Sequence, residues 1–297
     1  MYPRAFQYHR ASSLHEASEM LSQLGGEAKL LAGGQSLIPL MKLRFAGPAH
    51  LVDLNFITGT SYIKEEGGLI RIGALTRHAE IENSATASRI PIVHDCAAGI
   101  ADVQVRNRGT IGGSVAEADP SGDWATVLMT LSTKIHCLGR GGERVVELRD
   151  FVKDAYTTAL SHDELVSEVS IQIPSEGSGG AYIAFKRAAP VYPTASVAVQ
   201  LLLEGETCKQ ASIALGCVGL MPVRADEAES ALRGQRISEK TITAAAEAAR
   251  AAADPQSDMR GSADYKRELV GALVKRAVEA AVCRARGQQV EVSHLYA

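Results

Sequence analysis

Apolar residues fall at helical spacing through SSLHEASEMLSQLGG (12–26), where Leu14, Ala17, Leu21 and Leu24 share one face. Ser13 and Glu16 form an S-x-x-E capping box at its start, and Gly25 supplies a left-handed stop. AKLLA (28–32) reads as a short buried strand, GGQ as a turn, and SLIPLMKLR (36–44) as a short helix capped by Ser36, with Pro39 in its first turn. HLVDLN (50–55) and GLIRIGAL (68–75) read as strands. Helices are predicted at 76–84 and at 91–101, the latter with Pro91 near N1. RNRGTIGGSVAEADPSGD (106–123) is polar and punctuated by glycine. A helix at 123–131, a hairpin at 134–148 turning at GRGG, and a strand at 169–173 follow.

PSEGSGG (174–180) is the best linker candidate. Beyond it the pattern changes to three strand-like runs followed by helices at 223–233, 238–253 and 262–286. In the last helix Leu269, Leu273, Ala277 and Ala281, flanked by Val270, Val274, Val278 and Val282, make a broad stripe suited to packing on the preceding sheet. Strands followed by helices predict an α+β chain. The expected domains are 1–175, with subdomains of about 1–57 and 58–175, and 180–297.

Two segments carry the candidate chemistry: Ala32-Gly33-Gly34-Gln35-Ser36 and Thr110-Ile111-Gly112-Gly113-Ser114. Glycine lets a ligand approach the main chain, and successive N–H groups can form a nest for oxyanions. Hydroxyls of Ser36, Thr110 and Ser114 add donors. Two such nests suit the two linked phosphates of a dinucleotide; the competing reading makes each Gly-Gly an ordinary turn. Neither segment is a G-x-G-x-x-G or Walker pattern. Asp119 and Asp123 read either as turn-former and helix N-cap or as carboxylates for ribityl or ribose hydroxyls. Lys186 is a solvated strand end or a cation near a flavin ring, and Tyr192 is loop packing or a ring cover. Arg106 and Arg108 suit phosphate or partner contacts. His94 and His136 read as structural.

Composition removes several function classes. Net charge is −3 without a basic run, which argues against nucleic-acid binding. No run of about eighteen apolar residues exists, so no membrane span is expected. The N-terminal MYPRAFQYHRASS has no apolar core followed by a cleavage site, and the five cysteines are scattered without a C-x-x-C pair. Both predict a cytoplasmic chain with reduced thiols and no structural zinc or iron–sulfur cluster of its own. No Ser-His-Asp or Cys-His set and no metal-ligand motif is present.

AGGQSLIPLMKLR taken with RNRGTIGGSVAEADPSGD closely resembles the FAD-binding subunits of molybdenum hydroxylases, a family that includes carbon monoxide dehydrogenase medium chains and xanthine dehydrogenase flavin domains. LGCVGLMPVRADEAESALRG (215–234) and DMRGSADYKRELVGALVKRA (258–277) resemble its C-terminal flavoprotein domain. The resemblance implies a two-part FAD-binding domain of the vanillyl-alcohol-oxidase-like (PCMH) type, then a smaller α+β domain with a three-stranded sheet. It makes Leu31, Ala32, Gly33, Gly34, Gln35, Ser36 and Leu37 one pyrophosphate clamp and Thr110, Ile111, Gly112, Gly113 and Ser114 the other. It places Asp123 at the ribityl chain, with Asp119 beside it, and Lys186 near the ring. Tyr192 would cover one ring face, and Ile100, Ala101 and Val166 would make backbone or apolar contacts. Glu117, where many relatives have His, and Pro193 depart from the family pattern. The implied role is an electron-exit module holding FAD noncovalently, with no catalytic acid or base. Its partners would be a large molybdopterin subunit and a small subunit with two [2Fe-2S] clusters, as a dimer of heterotrimers. The alternatives are a self-contained flavin oxidoreductase on the same fold and a nucleotide-binding scaffold without redox turnover.

Overall fold

The computed structural model describes residues 2–188, 190–292 and 295–296, so residues 1 and 297, the ends of the two expected domains, lie outside the described residues. The chain opens with a small parallel sheet. Strands β1 (Gln7–Arg10), β2 (Ala28–Leu31) and β3 (His50–Asp53) lie in the order β1-β3-β2. Helix α1 (Leu14–Leu24) and helix α2 (Leu37–Leu43) make the connections. The Ser13 side chain caps α1 through the Glu16 N–H, but the Glu16 carboxylate turns to the Ser12 N–H and hydroxyl, so the predicted box closes only on one side; Gly25 ends the helix at a positive φ of 62° without entering the left-handed helical conformation expected of the stop.

The second unit is an antiparallel sheet with helices packed on it. Strands β4 (Ile63–Glu66) and β5 (Leu69–Gly73) precede five short helices: α3 (His78–Glu82), α4 (Pro91–Gly99), α5 (Val103–Arg106), α6 (Ile111–Glu117) and α7 (Asp123–Leu128). The predicted hairpin forms as β6 (Thr133–Gly139) and β7 (Gly142–Glu147). Helix α8 (Leu148–Phe151) and the two-stranded ribbon β8 (Val152–Asp154) and β9 (Thr157–Thr158) lead to β10 (Leu165–Gln172). The sheet order is β4-β5-β10-β6-β7.

The third unit has the meander β11 (Ser178–Lys186), β12 (Ala195–Glu204) and β13 (Thr207–Gly216), the short β14 (Val223–Arg224), helices α9 (Asp226–Leu232), α10 (Glu239–Ala252) and α11 (Ala263–Ala285), and β15 (Leu295–Tyr296). The expected three-stranded sheet is five-stranded, in the order β14-β13-β12-β11-β15, because two-residue strands pair with both edges. The stripe Val270, Leu273, Val274, Ala277, Val278, Ala281 is buried, and α11 lies on β11 and β12. Gly179 and Gly180, read from sequence as linker, belong to β11. A Cβ on Gly179 would stand 2.0 Å from the Ala281 carbonyl oxygen, so this glycine lets α11 settle on the sheet.

The other face of that sheet does not stand alone. Tyr182, Ala184, Ala198 and Ala214 belong to the same apolar cluster as Ile92, Trp124 and Val127 of the second unit. The two faces of β11 therefore serve two cores. At this junction the buried Asp95 and Arg284 form a two-point ion pair at 2.5 and 2.9 Å, and Arg284 also donates to the Gly180 and Val290 carbonyls.

Candidate functional site

The two glycine segments meet. A Cβ on Gly33 would lie 2.4 Å from the Arg108 carbonyl oxygen and 2.7 Å from the Gly109 Cα, and one on Gly113 would lie 3.8 Å from the Ala32 Cβ. Asn55, just after β3, ties the loops together. Its amide donates to the Ala32 carbonyl at 2.8 Å, and Arg77 donates to its Oδ1 at 2.6 Å and also to the Arg108 carbonyl. Gly34 takes φ 73°, a left-handed turn that favours glycine at the entry to α2.

The segments differ in what they leave available. No acceptor is present, among the described residues, for the N–H groups of Gly33, Gly34, Gln35, Ser36 and Leu37. Ser36 stands at the N-cap position of α2 without a side-chain capping bond, so its hydroxyl is also open. This is a nest in the sense the sequence suggests. In the second segment the four amides after Thr110 are already satisfied: Ile111 donates to Thr76 O, Gly112 to Ala74 O, Ser114 to Thr110 O, and Gly113 to the Thr110 hydroxyl. The stretch expected as a polar, glycine-punctuated segment holds helix α6, with Thr110 as its N-cap. A Cβ on Gly112 would stand 2.5 Å from the Ala74 Cβ and 2.7 Å from the Ala74 carbonyl oxygen. Gly112 thus seats α6 on the chain after β5 and does not form a second bare amide cradle.

Both segments open on one cavity of about 310 Å³. Ala32, Gly33, Gly34, Gln35, Ser36 and Leu37 form one wall, and Thr110, Gly113 and Ser114 another. Ile100, Ala101, Asp119, Asp123, Lys186 and Tyr192 complete the expected residues that line it. Leu31, Ile111, Gly112 and Val166 do not. Ile111 and Val166 are buried in the core of the second unit, and Leu31 ends strand β2. His78, Gly109, Glu117, Gly122 and Val191 line the cavity without having been singled out for it from sequence, Glu117 apart, which stood out only as a departure.

The charged groups are placed with care for their burial. Asp123 is the first residue of α7 and not its cap, which is Gly122. Its buried carboxylate accepts the Tyr182 hydroxyl at 2.7 Å. Asp119 does act as a turn-former, accepting the Ser121 N–H at 2.8 Å. Lys186 is 1% exposed and donates to the Gly99 carbonyl at the C-terminal end of α4, where the carbonyl-rich end of a helix favours a cation. Ala101, two residues on, holds φ 43°, and Ala118, between Glu117 and Asp119, holds φ 49°. Left-handed backbone at a residue with a Cβ costs roughly 1–2 kcal/mol, so some backbone strain is held in the wall at Ala101 and next to it at Ala118. Burial and the Asp119 charge push the Glu117 carboxyl up. Burial and the Asp119 carboxylate likewise push up the Tyr192 hydroxyl. The Tyr192 loop is braced from outside: Arg260 donates to the Pro193 carbonyl and to the Ser121 hydroxyl, and Arg187 to the Met259 carbonyl. Arg106 pairs with Glu82 at 2.8 Å and donates to the Ile100 carbonyl, so it shapes the wall and does not point at a ligand.

A cavity with a run of acceptor-less amides, hydroxyls opposite them, a buried carboxylate and a buried ammonium fits FAD. Comparison with known proteins agrees. Residues 4–176 match the family described as the FAD binding domain in molybdopterin dehydrogenase, and residues 180–281 match the carbon monoxide dehydrogenase flavoprotein C-terminal domain. The chain is 41% identical to the carbon monoxide dehydrogenase medium chain of Afipia carboxidovorans, over 96% of this chain and all of that one. It is 36% identical to subunit alpha of the 6-hydroxypseudooxynicotine dehydrogenase complex of Paenarthrobacter nicotinovorans, over 99% of this chain and all of that one. A solved carbon monoxide dehydrogenase of Hydrogenophaga pseudoflava superposes with a TM-score of 0.93 at 41% identity, covering 96% of this chain and 99% of that one. The chain belongs to the family of FAD-binding subunits of molybdopterin dehydrogenases, with FAD as its cofactor, and carbon monoxide dehydrogenase medium chains are among its homologues.

Proposed function

We propose that this chain is the FAD-carrying electron-transfer subunit of a cytoplasmic molybdenum hydroxylase. It takes electrons from the iron–sulfur clusters of a small partner and passes them to an external acceptor, while a large partner holds the molybdopterin, in a dimer of heterotrimers. The observation that carries this reading is the set of acceptor-less amides at residues 33–37 on the same cavity as the buried Asp123 and Lys186.

Bound FAD supplies the redox chemistry; the residues here hold and tune it. Gly33 to Leu37 donate main-chain N–H groups to the diphosphate, Ala32 carries them into the wall, and Thr110 and Ser114 add hydroxyl donors. Asp123, kept in place by Tyr182, accepts from sugar hydroxyls, with Asp119 next along the wall. Lys186 sets a positive charge beside the ring, where it favours the reduced, anionic form. Tyr192 covers one ring face, and Ile100 and Ala101 line the path between. Leu31, Ile111, Gly112 and Val166 act from behind, by fixing the loops and strands that carry the contacts. We also propose a division between the FAD-binding and C-terminal domains at residues 175–180.

The test is to isolate the chain from its native cell with whatever accompanies it. A yellow flavin spectrum, with molybdenum- and iron-containing companions, supports the reading. A chain without flavin overturns it. A flavin-bearing chain that turns over a small molecule with no companion would instead be a self-contained oxidoreductase.

A further inference from the structure

Because the amides of Ile111 to Ser114 are occupied, the wall opposite the nest offers a phosphate few main-chain donors, and one of its side-chain donors is a histidine. His78 is 4% exposed and lines the cavity. Its Nδ1 accepts the indole N–H of Trp124, the chain's single tryptophan, at 3.1 Å. That bond places the imidazole proton on Nε2. Among the described residues no group hydrogen-bonds Nε2. Nε2 lies against Gly109, where a Cβ would come within 2.7 Å of it, and Gly109 is the residue on which Gly33 packs. The His78 backbone N–H donates to the Gly109 carbonyl at 3.1 Å, fixing the ring under the seam between the two glycine segments.

We propose that His78 is a binding residue for the diphosphate of FAD, presenting its Nε2–H from beneath Gly109 to the phosphate oxygens held on the other side by the nest. The inference rests on the FAD reading above and adds a donor to it. Its geometry explains two otherwise unrelated features. Gly109 must lack a side chain for Nε2 to reach past it, and Trp124 must be an indole because its N–H selects the tautomer. Protonation of Nδ1 would break the Trp124 bond, so the donor is an uncharged one. Burial, with the Arg77 and Arg106 charges, holds the ring down to about 3, consistent with this state.

The experiment uses the full-length chain stripped of flavin and labelled with ¹⁵N-histidine, titrated with FAD. The Nε2–H proton resonance of His78 is expected to move downfield and to exchange more slowly with water as FAD binds. His78→Phe, which keeps the ring volume but has no N–H, is expected to weaken FAD binding about ten- to a hundredfold, the range for one hydrogen bond to a charged group. His78→Gln, which restores an N–H, is expected to recover most of that loss. A purely structural histidine would leave the Nε2–H resonance unmoved at saturating FAD, or would leave the FAD affinity of His78→Phe at the wild-type value. Either result overturns the proposal, and if His78→Phe does not fold, the wild-type resonance decides. A wild-type chain that takes up no FAD at all would sink the cofactor reading itself, a different outcome.

Discussion

Gly33 packs so closely on Arg108 that a Cβ would stand 2.4 Å from the Arg108 carbonyl oxygen. Neither side of this contact can yield cheaply, because both are main chain. Gly33→Ala is expected to part the two loops, lower stability by about 1–3 kcal/mol as overpacking does, and release the flavin. Gly26→Ala meets nothing within 4 Å and serves as the neutral control. Thermal midpoints and the flavin-to-protein absorbance ratio report both effects.

Asp123 and Tyr182 predict a separation of binding from folding. If Asp123 holds a sugar hydroxyl as proposed, Asp123→Ala is expected to weaken FAD by about 1.5–3 kcal/mol, the range for one charge-assisted bond. Tyr182→Phe leaves the carboxylate present but less firmly oriented, and is expected to cost stability more than affinity. Titration of the flavin-free variants with FAD, beside their thermal midpoints, separates the two. Unchanged affinity in Asp123→Ala would leave this residue with a structural role only.

Lys186 bears a charge almost fully withdrawn from water and satisfied by one carbonyl. Lys186→Met keeps most of the side chain's bulk and removes the positive charge. The midpoint potential of bound FAD is expected to become more negative, since the anionic reduced form loses its neighbour. Potentiometric titration measures it, and an unshifted potential would remove Lys186 from the ring's surroundings.

His78 also predicts a pH dependence with a definite sign. Its folded value of about 3 lies below the ordinary 6.5, so unfolding takes up a proton between those limits. The stability associated with the uncharged ring is fully present above pH 6.5 and is lost as pH falls toward 3, at no more than about 1.4 kcal/mol per pH unit. Denaturant unfolding of wild type and His78→Gln across pH 4–7 is expected to show the shallower slope in the variant.

The Asp95–Arg284 pair predicts asymmetric losses. Asp95→Ala strands a buried guanidinium and is expected to cost about 3–5 kcal/mol. Replacing both residues by apolar ones of similar size is expected to cost much less. Calorimetric midpoints of the single and double variants test this.

The helices and hairpins that carry local signals were legible in the sequence: α1 through its Ser13 cap and apolar face, β6 and β7 through their turn, α11 through its apolar stripe. The first glycine segment was legible as a stretch of main-chain amides left without partners, because glycine turns keep them out of regular ladders. The second misled in detail. Two adjacent glycines read as a break, yet Thr110 caps a helix through them and Gly112 is there to fit Ala74. His78 carried no motif; only the contact with Trp124, 46 residues away, marks it. Asp123 resembled a cap because its partner Tyr182, 59 residues on, lies across the fold. Edge strands of two residues, such as β14, leave no periodicity to detect.

Strand β11 turns one side toward α11 and the other toward Trp124 and Ile92. A cut at residue 177 would therefore leave two fragments, each with a raw greasy face, and neither would keep its shape alone. The wall bearing Lys186 and the wall bearing Asp123 cannot swing apart like the jaws of a hinge. The span that the coenzyme bridges is set once, when the whole chain condenses.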